Sequence, residues 1–231
     1  VTQANAENVA LRNGIVSGWG LAGVDLAAGL DNVGCIVEHV QSTGNLGVGI
    51  NASSRAIIRH CSARGNGTMG ISTGVRSLIE QSLAEGNAIS GISAGFGTMV
   101  RACTSTRNER EGISTANACQ VIECSVIENN GDGVKVGNQC LVRGNLCDGN
   151  GFFQFDGAGI HVPGSDCRIE DNTLTRNDRG LDVDFGGNFI VRNSATGNGV
   201  NYDVTGTQTI GPIVTATGTI AGASPWANFS F

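Results

Sequence analysis

Positive charge is scarce in this chain. Its 231 residues hold 14 Lys and Arg against 20 Asp and Glu, for a formal net charge of −6. That balance argues against nucleic acid as a partner, because binding to phosphates needs a basic footprint. No long basic tract or basic amphipathic helix is there to lie on a membrane surface. No apolar run approaches the ~18 residues that predict a membrane span. Proline falls to 3 residues and aromatics to 5%. The opening VTQANAENVALRNG holds neither Met nor the apolar centre of a secretion signal. The expectation is therefore that a leader has been removed or that the chain is a piece of a longer protein. What remains is 40% hydrophobic and 15% charged. That is apolar enough to fold, and long enough to bury a sizeable core as one domain.

Glycine, by contrast, is abundant, with 36 residues, and it falls in a rhythm. Asn45, Asn66, Asn87, Asn108, Asn129 and Asn150 are each 21 residues apart. The next step, to Asn177, is 27, and Asn198 restores 21. A second column runs Gly49-Ile50, Gly70-Ile71, Gly91-Ile92, Gly112-Ile113, Gly133-Val134, Gly159-Ile160 and Gly180-Leu181. A third runs Val37, Ile58, Ile79, Val100, Val121, Val142, Ile169 and Ile190. Within a unit such as LIEQSLAEGNAISGIS, Leu78 to Ser93, apolar and polar residues alternate over short runs broken by Gly, Asn or Ser. Period two predicts short strands and tight turns, with no helical stripe. A unit of this length cannot close a core alone, but stacked units share one. Equivalent residues then lie above one another at roughly 4.8 Å. The Asn column is expected at a turn, where Asn tolerates left-handed backbone and its amide pairs with the next coil. The Gly before each Ile is expected to supply unusual backbone at the next corner.

The Asn ladder, the N-x-x-x-G-I spacing and the opening NGIVSGWG resemble the right-handed parallel β-helix proteins of the pectate-lyase-like superfamily. The resemblance covers about Asn13 to Asp203, and the ending SPWANFSF is similar to the close of secreted bacterial members. It implies an all-β fold, a right-handed single-stranded parallel β-helix of about eight or nine coils built on 21-residue repeats. Residues 1–204 form the coils, with an insertion at 151–158, and 205–231 form a C-terminal strand and cap. The start lies almost inside a repeat, so further coils or a cap are expected to precede it in the full-length protein. The superfamily hosts lyases, hydrolases, epimerases and adhesins, so the resemblance speaks to fold more than to activity.

By count alone eight cysteines suggest a disulfide framework, but the register says otherwise. Cys61, Cys103 and Cys124 share a column with Val40 and Ser82. Cys35, Cys119 and Cys140 share another with Ala56, Ser77 and Thr98, and Cys167 falls one place from it. Columns of Cys, Val, Ala and Ser read as small interior sites holding free thiols. Cys103–Cys124 and Cys119–Cys140 are close enough on adjacent coils to bridge only if their side chains rotate. No C-x-x-C is present, so no zinc site is expected. GWGLAG and GNGTMG match a dinucleotide fingerprint by glycine abundance alone, without the strand-to-helix context. DVDFGGN begins like a calcium loop but has Asn193 where the closing Glu belongs. No cofactor is expected. Of the formal N-glycosylation acceptors Asn51, Asn66 and Asn228, Asn66 belongs to the interior ladder.

The residue after each Gly-Ile points outward, because the Ile points in. That column reads Asn51, Ser72, Ser93, Ser114, Lys135, His161, Asp182. Its last three members carry charge chemistry, and Lys135 is the chain's single lysine. Asp184 shares the face, while Asp132 and Arg179 flank it. The interrupted stretch NGFFQFDGAGIH adds Phe152, Phe153, Phe155 and Asp156 just before His161. A loop inserted into a solenoid usually lands on the binding face. Aromatics beside carboxylates and cations suit a sugar ring.

The expected catalytic set is therefore Lys135, His161, Asp182, Asp184, Asp156 and Arg179. Phe152, Phe153, Phe155 and Asp132 would contact substrate. A lyase would use Lys135 or His161 as base and Arg179 to neutralise a uronate, although nearby carboxylates disfavour a lysine base. A hydrolase needs two carboxylates about 5–9.5 Å apart. None of the polygalacturonase, pectate lyase or mannuronan epimerase motif sets is present. The reading is thus a secreted or surface β-helix protein that binds or processes polysaccharide. The alternative is a non-catalytic scaffold or adhesin-type module of a larger protein, on which the same column is only solvated surface charge.

Overall fold

A computed structural model describes residues 8–27, 34–151, 157–215 and 224–231. Among the described residues every regular element is a strand, mostly of three residues, and every pairing between strands is parallel. Two sheets result, one of nine strands and one of nineteen. The larger sheet wraps a corner because Ile36–Thr43 is long enough to pair with both Ile57–Arg59 and Ser62–Arg64 of the next coil. This is a parallel β-helix, and its coils stack in the expected register. Val37 pairs with Ile58, Ile58 with Ile79, and so on through Val100, Val121, Val142, Ile169 and Ile190. All eight side chains are fully buried. Among the described residues no helix is long and apolar enough to cross a membrane.

The corners obey a rule that the sequence shows only in part. In the column from Asn45 to Asn177, each backbone N–H and each side-chain Nδ2 donates to the Asn Oδ1 of the next coil. The Asn residues do not themselves take left-handed backbone. The residue before each one does, whether Gly65, Gly86, Arg107, Glu128 or Arg176. The Gly before each Ile is not left-handed either. It is glycine for lack of room: a Cβ on Gly70 would sit 2.6 Å from Asn87 Nδ2 and 2.7 Å from the Gly91 carbonyl oxygen.

The other two corners follow the same rule in different residues. The column of Cys61, Ser82, Cys103 and Cys124 continues as a second asparagine ladder, Asn145, Asn172, Asn193 and Asn228. At the third corner Ala56 N–H donates to Ser77 Oγ, and Ser77 N–H to Thr98 Oγ1. Cys119 N–H then donates to Cys140 Sγ and Cys140 N–H to Cys167 Sγ, each at 3.3 Å. Cys167 is therefore in register, not one place adrift, because the 27-residue step that carries Asn150 to Asn177 also carries Cys140 to Cys167. All eight cysteines are free and buried. They fill space as small side chains, but several also answer corner amides, and Cys119, Cys140 and Cys167 donate S–H to carbonyls of an earlier coil.

The long coil is accommodated without loss of pitch. Leu141 pairs with Arg168, and Val134 with Ile160, across the interruption. The strand Ala158–Val162 begins at a residue that the sequence assigns to the insertion. Phe152, Phe153, Phe155 and Asp156 lie outside the described residues.

A charged ladder on the nine-stranded sheet

The first strands of the nine-stranded sheet, Val24–Leu26, Ile50–Ala52, Ile71–Thr73 and Ile92–Ala94, bury their flanking residues and turn their centre outward. Register places the outward residues in one line: Asp25, Asn51, Ser72, Ser93, Ser114, Lys135, His161, Asp182 and Asp203. The three charged positions expected from the sequence are therefore neighbours on successive coils. Two further members, Asp25 and Asp203, escaped the sequence reading. Asp203 lies 21 residues beyond Asp182, but Asn201 replaces the glycine that marked the column.

His161 is held from both sides. Its Nδ1 lies 2.9 Å from Asp132 Oδ2 and its Nε2 lies 3.2 Å from Asp184 Oδ2. Asp132 is only 6% exposed. Its other oxygen accepts the Ala158 N–H at 2.9 Å, and Lys135 Nζ stands 3.6 Å from the oxygen that faces His161. Asp132 is thus a fixed support for His161, a role the sequence reading did not give it. Burial pulls the imidazole pKa down, but the bond to Asp132, its charge and the bond to Asp184 outweigh burial and the opposing Lys135. The net shift is upward from 6.5. Two carboxylate neighbours favour the protonated imidazole, in which both ring nitrogens can donate.

Asp182, next in line, is 9% exposed. Arg179 donates to its Oδ2 from 2.9 Å and reaches Asp203 at 3.3 Å through Nε. Burial raises the Asp182 pKa above 3.8, and Asp184 adds to this, against the pull of His161 and Arg179. The sequence-derived residues Lys135, His161, Arg179, Asp182, Asp184 and Asp132 thus form one connected cluster. His161, Asp182 and Asp184 each offer a ligand atom within 4.8 Å of the others. They have the nitrogen and oxygen donors of a divalent-metal site, but both imidazole nitrogens are already engaged, and a ligand nitrogen must be free of its proton.

Two surface grooves, of about 740 and 570 Å³, lie away from this ladder. The larger is lined by Arg107, Glu128, Asp148 and Arg176, which pair among themselves. Concavity and titratable chemistry therefore point to different faces. The ladder is the better candidate, because it alone among these surfaces joins a doubly bonded imidazole to a carboxyl whose pKa is raised.

No protein-family model matches the chain, and no curated protein matches it in sequence. Solved structures match it in shape. Pectate lyase Pel9A superposes with a TM-score of 0.69 at 16% identity, over 85% of this chain and 63% of that one. The A-module of mannuronan C-5 epimerase AlgE6 from Azotobacter vinelandii gives 0.55 at 14% identity, over 98% and 73%. The periplasmic alginate epimerase AlgG gives 0.53 at 13% identity, over 85% and 49%. The chain thus spans less than two thirds of the pectate lyase it resembles.

Proposed function

We propose that this chain, a pectate-lyase-like parallel β-helix by fold, binds a polysaccharide along the ladder of its nine-stranded sheet and cleaves it there. The observation that carries the reading is the juxtaposition of a clamped His161 with the buried carboxyl of Asp182. The fold neighbours named above are a pectate lyase and two epimerases, which supports a carbohydrate target. With such a polymer as target, a secreted or surface setting is the one we propose.

The chemistry follows from the environments. A carboxyl with a raised pKa can donate a proton to a leaving glycosidic oxygen, and Asp182 takes that role. Asp184, with 45% of its side chain exposed, is the second carboxylate. The two offer oxygens within 4.8 Å of each other. That is short of the roughly 6.5–9.5 Å that inversion requires, which favours a retaining mechanism. His161, with its ring nitrogens facing Asp132 and Asp184, orients the Asp184 carboxylate rather than serving as a resting base. Lys135 and Arg179, on the coils either side, present cations to the same polymer. We assign Phe152, Phe153, Phe155 and Asp156, from their place in the sequence, to the wall beside it.

One observation favours a scaffold instead. The ladder charges satisfy one another, as do outward ion pairs with no chemistry to perform, such as Arg12–Glu38–Arg59 and Glu80–Arg101. A panel of neutral and uronate polysaccharides separates the readings, with reducing ends and the absorbance of unsaturated uronates followed together. New reducing ends, lost at least ~100-fold in Asp182→Asn, support hydrolysis. Unsaturated products would move the assignment to a lyase. Saturable binding without products would make the chain a recognition module, and silence in every arm would leave the scaffold.

A further inference from the structure

On a different face, the nineteen-stranded sheet carries an aromatic shelf that the ladder chemistry does not use. Phe189 and Trp226 meet edge to face, with ring centroids 6.4 Å apart. The guanidinium of Arg168 lies 4.6 Å above the Phe189 ring, and that of Arg192 lies 5.4 Å from the centre of the Trp226 ring. Both arginines are tied to one carboxylate: Arg168 reaches Glu170 at 2.6 Å and Arg192 reaches it at 2.7 Å. Glu170 sits at an outward position of its strand yet is 5% exposed. Arg192 is fixed again by Asp171 at 2.6 Å. A single sequestered carboxylate therefore sets two cations, and the cations set two rings.

The backbone under the shelf is equally fixed. A Cβ on Gly211 would collide with the Trp226 carbonyl oxygen, so the two chains approach as closely as glycine allows. Asn228, two residues on, donates its Nδ2 to the carbonyls of Ile190 and Gly211 and its N–H to that of Pro212. Despite this anchoring the indole is 49% exposed. In a chain with so few aromatics, a rigid half-exposed Trp is a large amphipathic surface presented to solvent at little entropic cost.

The geometry points to a second glycan contact at this shelf. The apolar face of a sugar ring packs on the Trp226 indole, and its hydroxyls meet Arg168, Arg192 and Asp171 at the edges. A guanidinium carries five N–H groups, so the bonds to Glu170 leave Arg168 donors for a hydroxyl. The occupant is a polysaccharide strand held away from the ladder. This rests on the carbohydrate reading above, but not on cleavage at Asp182.

Trp19 and Trp226 are the chain's two tryptophans, so Trp19→Phe leaves Trp226 as the single indole reporter. Its emission is titrated with two sets of short oligosaccharides, one of uncharged hexoses and one of hexuronates. A saturable change with either set, unaltered by Asp182→Asn, supports the shelf. Calorimetry should then show Trp226→Ala binding the same sugar at least about tenfold more weakly. An emission that stays flat with both sets overturns the shelf, and so does a change that disappears with Asp182→Asn. The two proposals fail separately. Cleavage with a silent Trp226 leaves the ladder standing and removes the shelf, whereas a responding Trp226 without cleavage does the reverse.

Discussion

Asp132 and His161 stand on successive coils, 29 residues apart in sequence, with Asp132 Oδ2 2.9 Å from His161 Nδ1. The carboxylate is buried and committed by its other oxygen to the Ala158 amide, so the imidazole meets a partner that cannot turn away. The expected result is a His161 that titrates above the ordinary 6.5 in an NMR pH series, and that falls back in Asp132→Asn. The sign for stability follows. A folded pKa above the unfolded one gives stabilisation that is complete below the unfolded value and lost as pH rises through the folded value. Unfolding measured from mildly acid to alkaline pH should therefore lose stability across that window in the parent and change less in Asp132→Asn. A His161 that titrates below 6.5 in the parent would sink the clamp.

Removing residues 151–156 shortens the 27-residue step to the 21 of its neighbours and leaves three residues from Asn150 to Gly159, as from Asn177 to Gly180. The corner ladders on both sides, Asn129–Asn150–Asn177 and Cys140–Cys167, are built from residues outside it. The shortened protein should fold with nearly unchanged stability and lose whatever polysaccharide activity the parent has. Unfolding on deletion would show that the stretch is part of the core, and undiminished activity would remove it from the site.

Asn108 is fully buried, and its Oδ1 accepts both the backbone N–H and the Nδ2 of Asn87. Replacing it by Ala strands two donors without water. A loss of roughly 3 kcal/mol is expected in denaturant unfolding. A loss under about 1 kcal/mol would mean that the ladder fills space rather than holding coils.

Cys140 Sγ accepts the Cys119 amide from a column that elsewhere uses Ser77 and Thr98. Cys140→Ser should cost little, and Cys140→Val should cost about 1–2 kcal/mol more through the orphaned amide. The native thiols should also resist alkylation, since all eight are buried and burial pushes the Cys147 thiol well up. Equal stability of the Ser and Val variants would restore the reading of these thiols as spacers alone.

The period of the chain made the fold legible, because each coil repeats the same demands at the same spacing. Lys135, His161 and Asp182 were legible for the same reason, as exceptions in an otherwise bland outward column. The second asparagine ladder was not, since its first half is written in Cys and Ser. The corner asks for an acceptor of small size, and several residues meet that demand. Nor could periodicity show that Asp132 supports His161, because that contact spans from a turn to the next coil. The clamp is a matter of reach, and reach is visible only in three dimensions.

In all three corner ladders the backbone N–H belongs to the earlier coil and the side-chain acceptor that it meets to the later one. The last donors described meet Asn201 Oδ1, Asn228 Oδ1 and Gln208 Oε1. The stack is therefore polar, as a filament is, with unlike ends. A coil flipped over would face donor against donor at three corners at once. Two such stacks can continue one another only head to tail, and the direction in which coils accrue is written into the amides before any side chain packs.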